Sequence, residues 1–442
     1  MFKIFSAVLA ALVLVSCGGG GGVDSTVSAT PSTVLLKGNK VSPIPDLVAG
    51  PVSVVNTPTT KGSLRDIGVT NDGGYVVAWF SGSSTIYIQA YDSSGAKAGA
   101  QTPLQLEILA STADDSRRAI EGASVAVLND GTVAVVYLVT RQILVGGSVE
   151  NDSGIYFQLF DANGKQLMGE TLITGLQESP LNPRAPFISG YSVRALSDGG
   201  FVVASTINRF VTGSPSISGL TLQWFNSQGQ PQVSAGVGSF PDLTLTSIEA
   251  DTHGGVTLAG SYFVPSSRID NAVWHYDANH VLQQIIAPES TPIRLLPIDY
   301  GYVLFTRGID GTTAQILDSQ ANPVGTPNPL PFIPAAAREL ADGSYVAIGL
   351  VAGTFVAQRF ASDGTPVGEA MTIDSSGTLP RVAALADTGF AAAWTGPGTT
   401  GATDVFTQRF TERFSDGKKA CLNSAKGLKG QQRKAFIDDC LA

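Results

Sequence analysis

The chain has 442 residues, 43% hydrophobic and 14% charged, with a formal net charge of −9. That much apolar material excludes wholesale disorder, and the acidic balance excludes a nucleic-acid wrapper, which needs a basic stripe. Three histidines and three cysteines leave little for a metal or redox centre, so neither a metal nor a cofactor is expected.

In chain order, Met1-Phe2-Lys3 and the apolar run Ile4 to Val15 form an export signal, too short to span a bilayer as a stable helix. The run ends in Leu14-Val15-Ser16-Cys17, which resembles the bacterial lipobox. That resemblance implies loss of residues 1–16 and acylation of Cys17 as the new N-terminus. Two or three acyl chains anchor firmly where a single one holds marginally. An ordinary signal peptide with an incidental cysteine is the alternative. Residues 17–47 open with five glycines and continue Ser/Thr/Pro-rich. Such a composition reads as a flexible tether, reaching on the order of 30 Å for ~30 residues. By resemblance to lipoprotein sorting in Gram-negative bacteria, Gly18 after the acylated cysteine implies the outer membrane. Both the periplasmic and the surface-facing orientation stay open.

Residues 48–415 carry one unit repeated seven times. Its first signature is a tight turn leading into an apolar strand, as in Asn71-Asp72-Gly73-Gly74-Tyr75-Val76-Val77-Ala78-Trp79 and Ser197-Asp198-Gly199-Gly200-Phe201-Val202-Val203-Ala204. The second is a strand with Gln, then an aromatic or Leu two residues on, usually followed by Asp or Asn and a turn. It occurs at Gln89, Gln158, Gln223, Gln315, Gln358 and Gln408, while Trp274 takes that place in the fourth copy. Copies lie 41 to 69 residues apart, which suits a four-stranded sheet module rather than a solenoid coil. Glycine accepts positive φ without penalty and Asp bonds its own downstream backbone, so these turns set strand register.

The seventh unit lacks a fourth strand. Gly50-Pro51-Val52-Ser53-Val54 resembles the fourth strand of the sixth unit near Gly364 to Ala370, so an N-terminal strand is expected to complete the last sheet. Closure removes an edge that would template aggregation. The predicted fold is therefore all-β, a seven-bladed β-propeller closed by an N-terminal strand. The repeats resemble the D-G-G-[FY]-V-V-A-W … Q-x-[FY]-D-x-x-G repeats of secreted and surface-attached bacterial proteins. That resemblance implies a propeller and no activity. The glutamines, Trp79 and Trp394 are expected to be structural.

Residues 416–442 switch composition, with six basic residues against three acidic ones. Cys421 and Cys440 bracket two expected short helices. A disulfide between them suits an oxidising envelope and is worth ~3 kcal/mol in the entropic model, with two free thiols as the alternative. The pattern Cys421, Asn423, Ala425, Leu428-Lys429-Gly430, Arg433-Lys434, Phe436, Cys440-Leu441 resembles the PsiF repeat of small exported proteins. That resemblance adds a module name and little chemistry.

No catalytic constellation is legible. There is no G-x-S-x-G elbow, Ser197-Asp198-Gly199-Gly200 lacks the spacing and tryptophan of sialidase-type propellers, and His253, His275 and His280 fit no zinc spacing. Alternating strands put the tight turns on one face. The other face is expected to carry long loops, Leu106 to Arg118, Leu138 to Gly154, Gly175 to Ser189 and Ile207 to Gly219. Arg117, Arg118, Arg141, Arg184, Arg209, Arg268 and Arg307 are assigned to that face as a candidate binding surface for an anionic or glycan-bearing partner. The expected function is a lipid-anchored envelope scaffold that binds a protein or glycan and no nucleic acid. The rival is a glycan-active hydrolase or lyase with its centre in the axial funnel.

Overall fold

The computed structural model describes residues 47–412, except for 82–84, 105–114, 146–147, 178–186, 210–216, 242, 252–253, 265–267, 287, 289, 300, 320–321, 375 and 399–402. The signal, Cys17, the tether to residue 46, Arg184, His253 and the tail with Cys421 and Cys440 lie outside the described residues.

Among the described residues, twenty-eight strands form seven four-stranded antiparallel sheets. An early strand, β1 (Leu47–Val54), precedes blade 1, which is β2 (Gly62–Val69), β3 (Tyr75–Ser81), β4 (Thr85–Tyr91) and β5 (Thr102–Leu104). Blade 2 is β6 (Asp115–Val127), β7 (Val133–Val145), β8 (Ser148–Phe160) and β9 (Gln166–Gln177). Blade 3 is β10 (Phe187–Ala195), β11 (Phe201–Arg209), β12 (Ile217–Phe225) and β13 (Pro231–Pro241). Blade 4 is β14 (Thr244–Ala250), β15 (Val256–Val264), β16 (Arg268–Tyr276) and β17 (Leu282–Ile286). Blade 5 is β18 (Thr291–Ile298), β19 (Gly301–Gly308), β20 (Gly311–Asp318) and β21 (Pro323–Leu330). Blade 6 is β22 (Ile333–Glu339), β23 (Tyr345–Val351), β24 (Thr354–Phe360) and β25 (Pro366–Asp374). Blade 7 is β26 (Thr378–Ala384), β27 (Phe390–Pro397), β28 (Thr403–Glu412) and, as its outer strand, β1.

The first strand of every blade contacts the first strand of the next, from β2 to β6 around to β26 and back to β2. This is a closed seven-bladed propeller, as the repeats predict. The β1–β28 ladder runs from Leu47↔Glu412 to Val54↔Phe406. Beyond it, Asn56 donates to Asp404 Oδ1 at 2.9 Å and accepts from the Val405 backbone N–H at 2.7 Å. Seven apolar clusters fill the seven blade interfaces, the one between blades 7 and 1 uniting Trp79 and Leu64 with Ala391 and Val405. The second strands carry most of that core and are buried on both faces, which is why they read as unbroken apolar runs.

In four of the six blades that carry it, the repeat's glutamine has one local task. The third and fourth strands slip register at a bulge beside it, as between Ala357 and Arg359, and a bulge leaves backbone groups unpaired. Gln358 Nε2 donates to the carbonyls of Arg359, Val367 and Gly368 at 2.8, 3.1 and 3.3 Å. Gln89, Gln315 and Gln408 likewise reach outer-strand carbonyls at Gly99, Val324 and Gly50. The aromatic two residues on stacks against the first residue of the second strand, with ring centroids 4.7 Å apart for Tyr75–Tyr91, 4.8 Å for Phe201–Phe225 and 4.4 Å for Phe390–Phe410. Such pairs add roughly 0.5–1.5 kcal/mol beyond their buried area. Trp79 and Trp394 are inter-blade core. In the Asp-x-x-Gly turns Asp92 Oδ1 accepts from the Ser94 and Ala96 N–H groups. Blade 4 puts His280 at the glycine's place, at φ 64°, with its ring 4.7 Å from that of Trp224.

The long loops differ from expectation in part. Much of Leu138 to Gly154 is strand, because β7 and β8 pair on to Val145↔Ser148. Blade 2 has strands of 12 and 13 residues where a blade such as 6 has 7 to 9. Five extra residues at ~3.3 Å each extend blade 2 by about 17 Å on the loop face. The insertion continues a hairpin that already has its register, so its backbone groups find partners by extending the ladder.

Candidate functional site

The innermost strands turn their residues toward the axis, and the chemistry there comes from blades distant in sequence. In blades 3, 4 and 6 the first hairpin is closed by the N–H of Leu196, Asp251 and Leu340. Two residues before each stand Arg194, Glu249 and Arg338. Blades 1, 2 and 7 have Gly68, Ala126 and Ala383 at that place. One layer deeper, two residues earlier, blades 1 and 7 contribute Asp66 and Arg381, and blade 5 contributes Arg294.

Glu249 is 1% exposed and is the hub of this set. It accepts from Arg294 Nη1 and, at 2.5 Å, from Arg338 Nη1, while Arg194 Nε lies 3.6 Å from Oε2. Blade 4 is thereby tied to blades 3, 5 and 6. Burial would raise the Glu249 carboxyl, but the guanidiniums of Arg338, Arg294 and Arg194 hold it down to about 2. Burial, reinforced by the other three arginines, pushes Arg294 down to about 10 against the pull of Glu249. Burial also raises Asp66 above the usual carboxylate range, although Arg194, Arg381 and Arg338 oppose it.

Above this layer a cavity of about 280 Å³ opens among the ends of all seven innermost strands, with Asp66, Arg194, Asp251, Arg338 and Glu339 as its charged lining. Asn129 and Ser197 of the tight hairpins also line it, so it opens on the tight-turn face. Glu339 Oε1 accepts the Asp299 backbone N–H at 2.7 Å. Burial, with Asp299 and Asp342 nearby, raises the Glu339 carboxyl to about 7.

On the opposite face a second cleft of about 430 Å³ lies between blades 3 and 4, lined by Tyr191, Ser192, Thr206, Asn208 and Thr244. Six of the arginines assigned to the loop face lie in strands. Arg117 and Arg118 are in β6, with Arg118 opposite Arg141 of β7. Arg209 ends β11 and Arg268 begins β16. Arg307, near the end of β19, is exposed on the same rim. Of the histidines, His275 meets Tyr302 edge-on at 5.4 Å.

The axial set is absent from the expectations drawn above. Its signal is a charged residue two positions before the first hairpin in three repeats, inside a strand that is otherwise small or apolar. Aligning the seven first strands would have found it.

No family model matches the chain, and no curated protein matches it. Among solved structures, a protein of unknown function from Dyadobacter fermentans DSM 18053 is similar at 10% identity and a TM-score of 0.47, over 84% of this chain and 100% of that one. BBS1N, solved in complex with ARL6DN, is similar at 10% identity and a TM-score of 0.47, over 84% of this chain and 98% of that one. The β-propeller domain of the Trilobed protease from Pyrococcus furiosus, described as having an open velcro topology, is similar at 9% identity and a TM-score of 0.42, over 78% and 95%. At these identities the likeness is one of fold and extends to no activity.

Proposed function

We propose that this propeller is a lipid-anchored binding scaffold of the bacterial envelope, held to the outer membrane through Cys17 and engaging a protein or glycan on its loop face. The reading rests on one observation above all. The polar cleft between blades 3 and 4 opens on the face that carries the extended blade 2 and the strand ends bearing Arg117, Arg118, Arg141, Arg209, Arg268 and Arg307. Hydroxyl and amide groups such as those of Ser192 and Asn208 suit sugar or peptide hydrogen bonding, and Asn208 Oδ1 is buried with no partner. The tail at residues 416–442, stapled through Cys421 and Cys440, is a separate module in this reading.

Affinity capture from envelope extract tests it. Arg141→Glu with Arg209→Glu should weaken retention of whatever partner the wild type recovers, and unchanged retention removes the assignment. Cys17→Ser should move the protein from the membrane to the soluble fraction.

One observation favours a second reading, a glycan-active hydrolase or lyase. Glu339, with its carboxyl near 7, faces the axial cavity beside Asp66 and Asp251, and a carboxyl so placed suits proton donation at neutral pH. Release of reducing sugar from envelope polysaccharide, lost in Glu339→Gln, would establish this reading over the first.

A further inference from the structure

The cleft on the loop face between blades 3 and 4 has two unlike walls. Along β11, the alternate residues Val202 and Ala204 belong to the apolar cluster between these blades. The same face of the strand continues as Thr206 and Asn208, which line the cleft together with Ser192 of β10. Opposite them, blade 4 contributes Leu243 and Leu245, both packed into that cluster. One wall is therefore hydroxyl and amide, the other aliphatic, and no charged side chain lines the space.

The ring supplies its own comparison. Counted from the aromatic that opens the second strand, Thr395 of blade 7 stands where Thr206 stands in blade 3. Thr395 Oγ1 accepts the backbone N–H of Leu64 in blade 1 at 2.8 Å, a direct bond between two blades. Thr206 Oγ1 donates within its own blade, to Gly190 O at 3.3 Å, and about 430 Å³ stands open between blades 3 and 4. Gly190 helps to keep it open, since a Cβ there would come within 3.1 Å of Thr206 Oγ1. The polar wall also has capacity that the fold does not use. Asn208 Oδ1 is buried with no partner, where nearly all buried acceptors are paired, and a half-turn of the amide exchanges it with Nδ2. Ser192 Oγ accepts from Arg194 Nη1 at 3.3 Å, which turns its own proton to donation.

We propose that this cleft is a subsite for one neutral pyranose of a glycan, with hydroxyls on Ser192, Thr206 and Asn208 and its C–H face on Leu243 and Leu245. The inference rests on the reading of the loop face as a glycan-engaging surface and narrows it to a chemical class. A pyranose has the same two characters as the walls, hydroxyls along its edge and aliphatic C–H on its face. Serine and threonine hydroxyls and an amide both donate and accept, as sugar hydroxyls do. A uronic acid or an ionised peptide side chain would bring charge into a space without a counter-charge and lose its hydration there. The size is that of a small-molecule site, which runs from about 300 to 1,000 Å³.

Saturation-transfer NMR and calorimetric titration of the full chain test the inference, with the methyl glycosides of glucose, galactose, mannose and N-acetylglucosamine as probes. Sorbitol, which has the hydroxyls and no ring, sodium glucuronate as a charged sugar and N-acetylalanine methylamide as a peptide unit are the comparisons. At least one neutral pyranoside should bind saturably and more tightly than all three. Asn208→Ala should weaken that binding about fivefold, the worth of one hydrogen bond. It should do so without lowering Tm, because the fold draws on no bond to that oxygen. Thr206→Val, which keeps the shape and removes the hydroxyl, should weaken it by a similar factor and decides the matter should Asn208→Ala not fold. No pyranoside binding beyond that of sorbitol, equal binding of glucuronate or the peptide unit, or an affinity indifferent to both substitutions would overturn the assignment. Failure of the pyranosides while capture from envelope extract still depends on Arg141 and Arg209 removes this inference alone. Pyranoside binding with capture indifferent to those arginines removes the arginine surface and upholds the subsite.

Discussion

Replacing Glu249 by Gln keeps the size of the side chain and removes the one strongly ionised carboxylate from among Arg194, Arg294 and Arg338. The carboxyl moves from 4.5 to about 2 on folding. At about 1.4 kcal/mol per unit that shift makes the ionised form worth about 3 kcal/mol more in the folded than in the unfolded chain. Losing it also strands buried guanidiniums, and breaking one side of a buried ion pair costs about 3–5 kcal/mol in general. Urea unfolding at pH 7 is the assay, followed by the fluorescence of Trp79, Trp224, Trp274 and Trp394, each at most 1% exposed. The variant should be less stable by about 3 kcal/mol with an unchanged slope. The pH dependence carries the sharper test. Because the folded value lies below the unfolded one, the contribution is fully present above about pH 4.5 and is lost as pH falls toward 2. The gap between wild type and variant should therefore be flat from pH 8 to 5 and narrow below 4.5. A variant as stable as wild type at pH 7, or a gap that does not close in acid, would refute the view of Glu249 as an ionic hub joining four blades.

Three further outcomes follow from other parts of the ring. Asn56→Ala removes two buried hydrogen bonds across the closure, to Asp404 and from Val405, and should cost about 2 kcal/mol in urea unfolding, since each stranded buried group costs roughly 1–3 kcal/mol. Gln358→Leu leaves the carbonyls of Val367 and Gly368 without their amide and should lower stability by about 1–2 kcal/mol, with local loss of amide-exchange protection in blade 6. For Glu339 the sign is the opposite of that for Glu249. Its folded value, about 7, lies above the unfolded 4.5, so wild-type stability falls as pH rises between the two, and Glu339→Gln should gain in urea midpoint relative to wild type at pH 8 but not at pH 4.5.

The roles of the glutamines show how far local reasoning reaches. Their place beside a packed ring was legible, because Gln and the aromatic two residues on share one face of a strand. That the amide closes a bulge was not, since a bulge is a relation between two strands rather than a property of one. Leu138 to Gly154 was legible as an insertion but not as two strands, because a polar hairpin extension has the same composition as a loop. The assignment of the arginines to the loop face rests on strand alternation alone.

The number of blades, the order of strands in each and the source of the closing strand are all written along the chain. Those follow from turns with Asp and Gly, from period-two patterning and from a count of strands that left the last sheet one short, all of which are local or repeated many times. The meeting of Glu249 with Arg294 and Arg338, 45 and 89 residues away, arises only in the assembled ring. Nothing in a single strand says which of its residues will face the axis at the same height as those of the other six. That height is set when seven sheets pack side by side and the ring shuts, and the electrostatics of the cavity come into being with it.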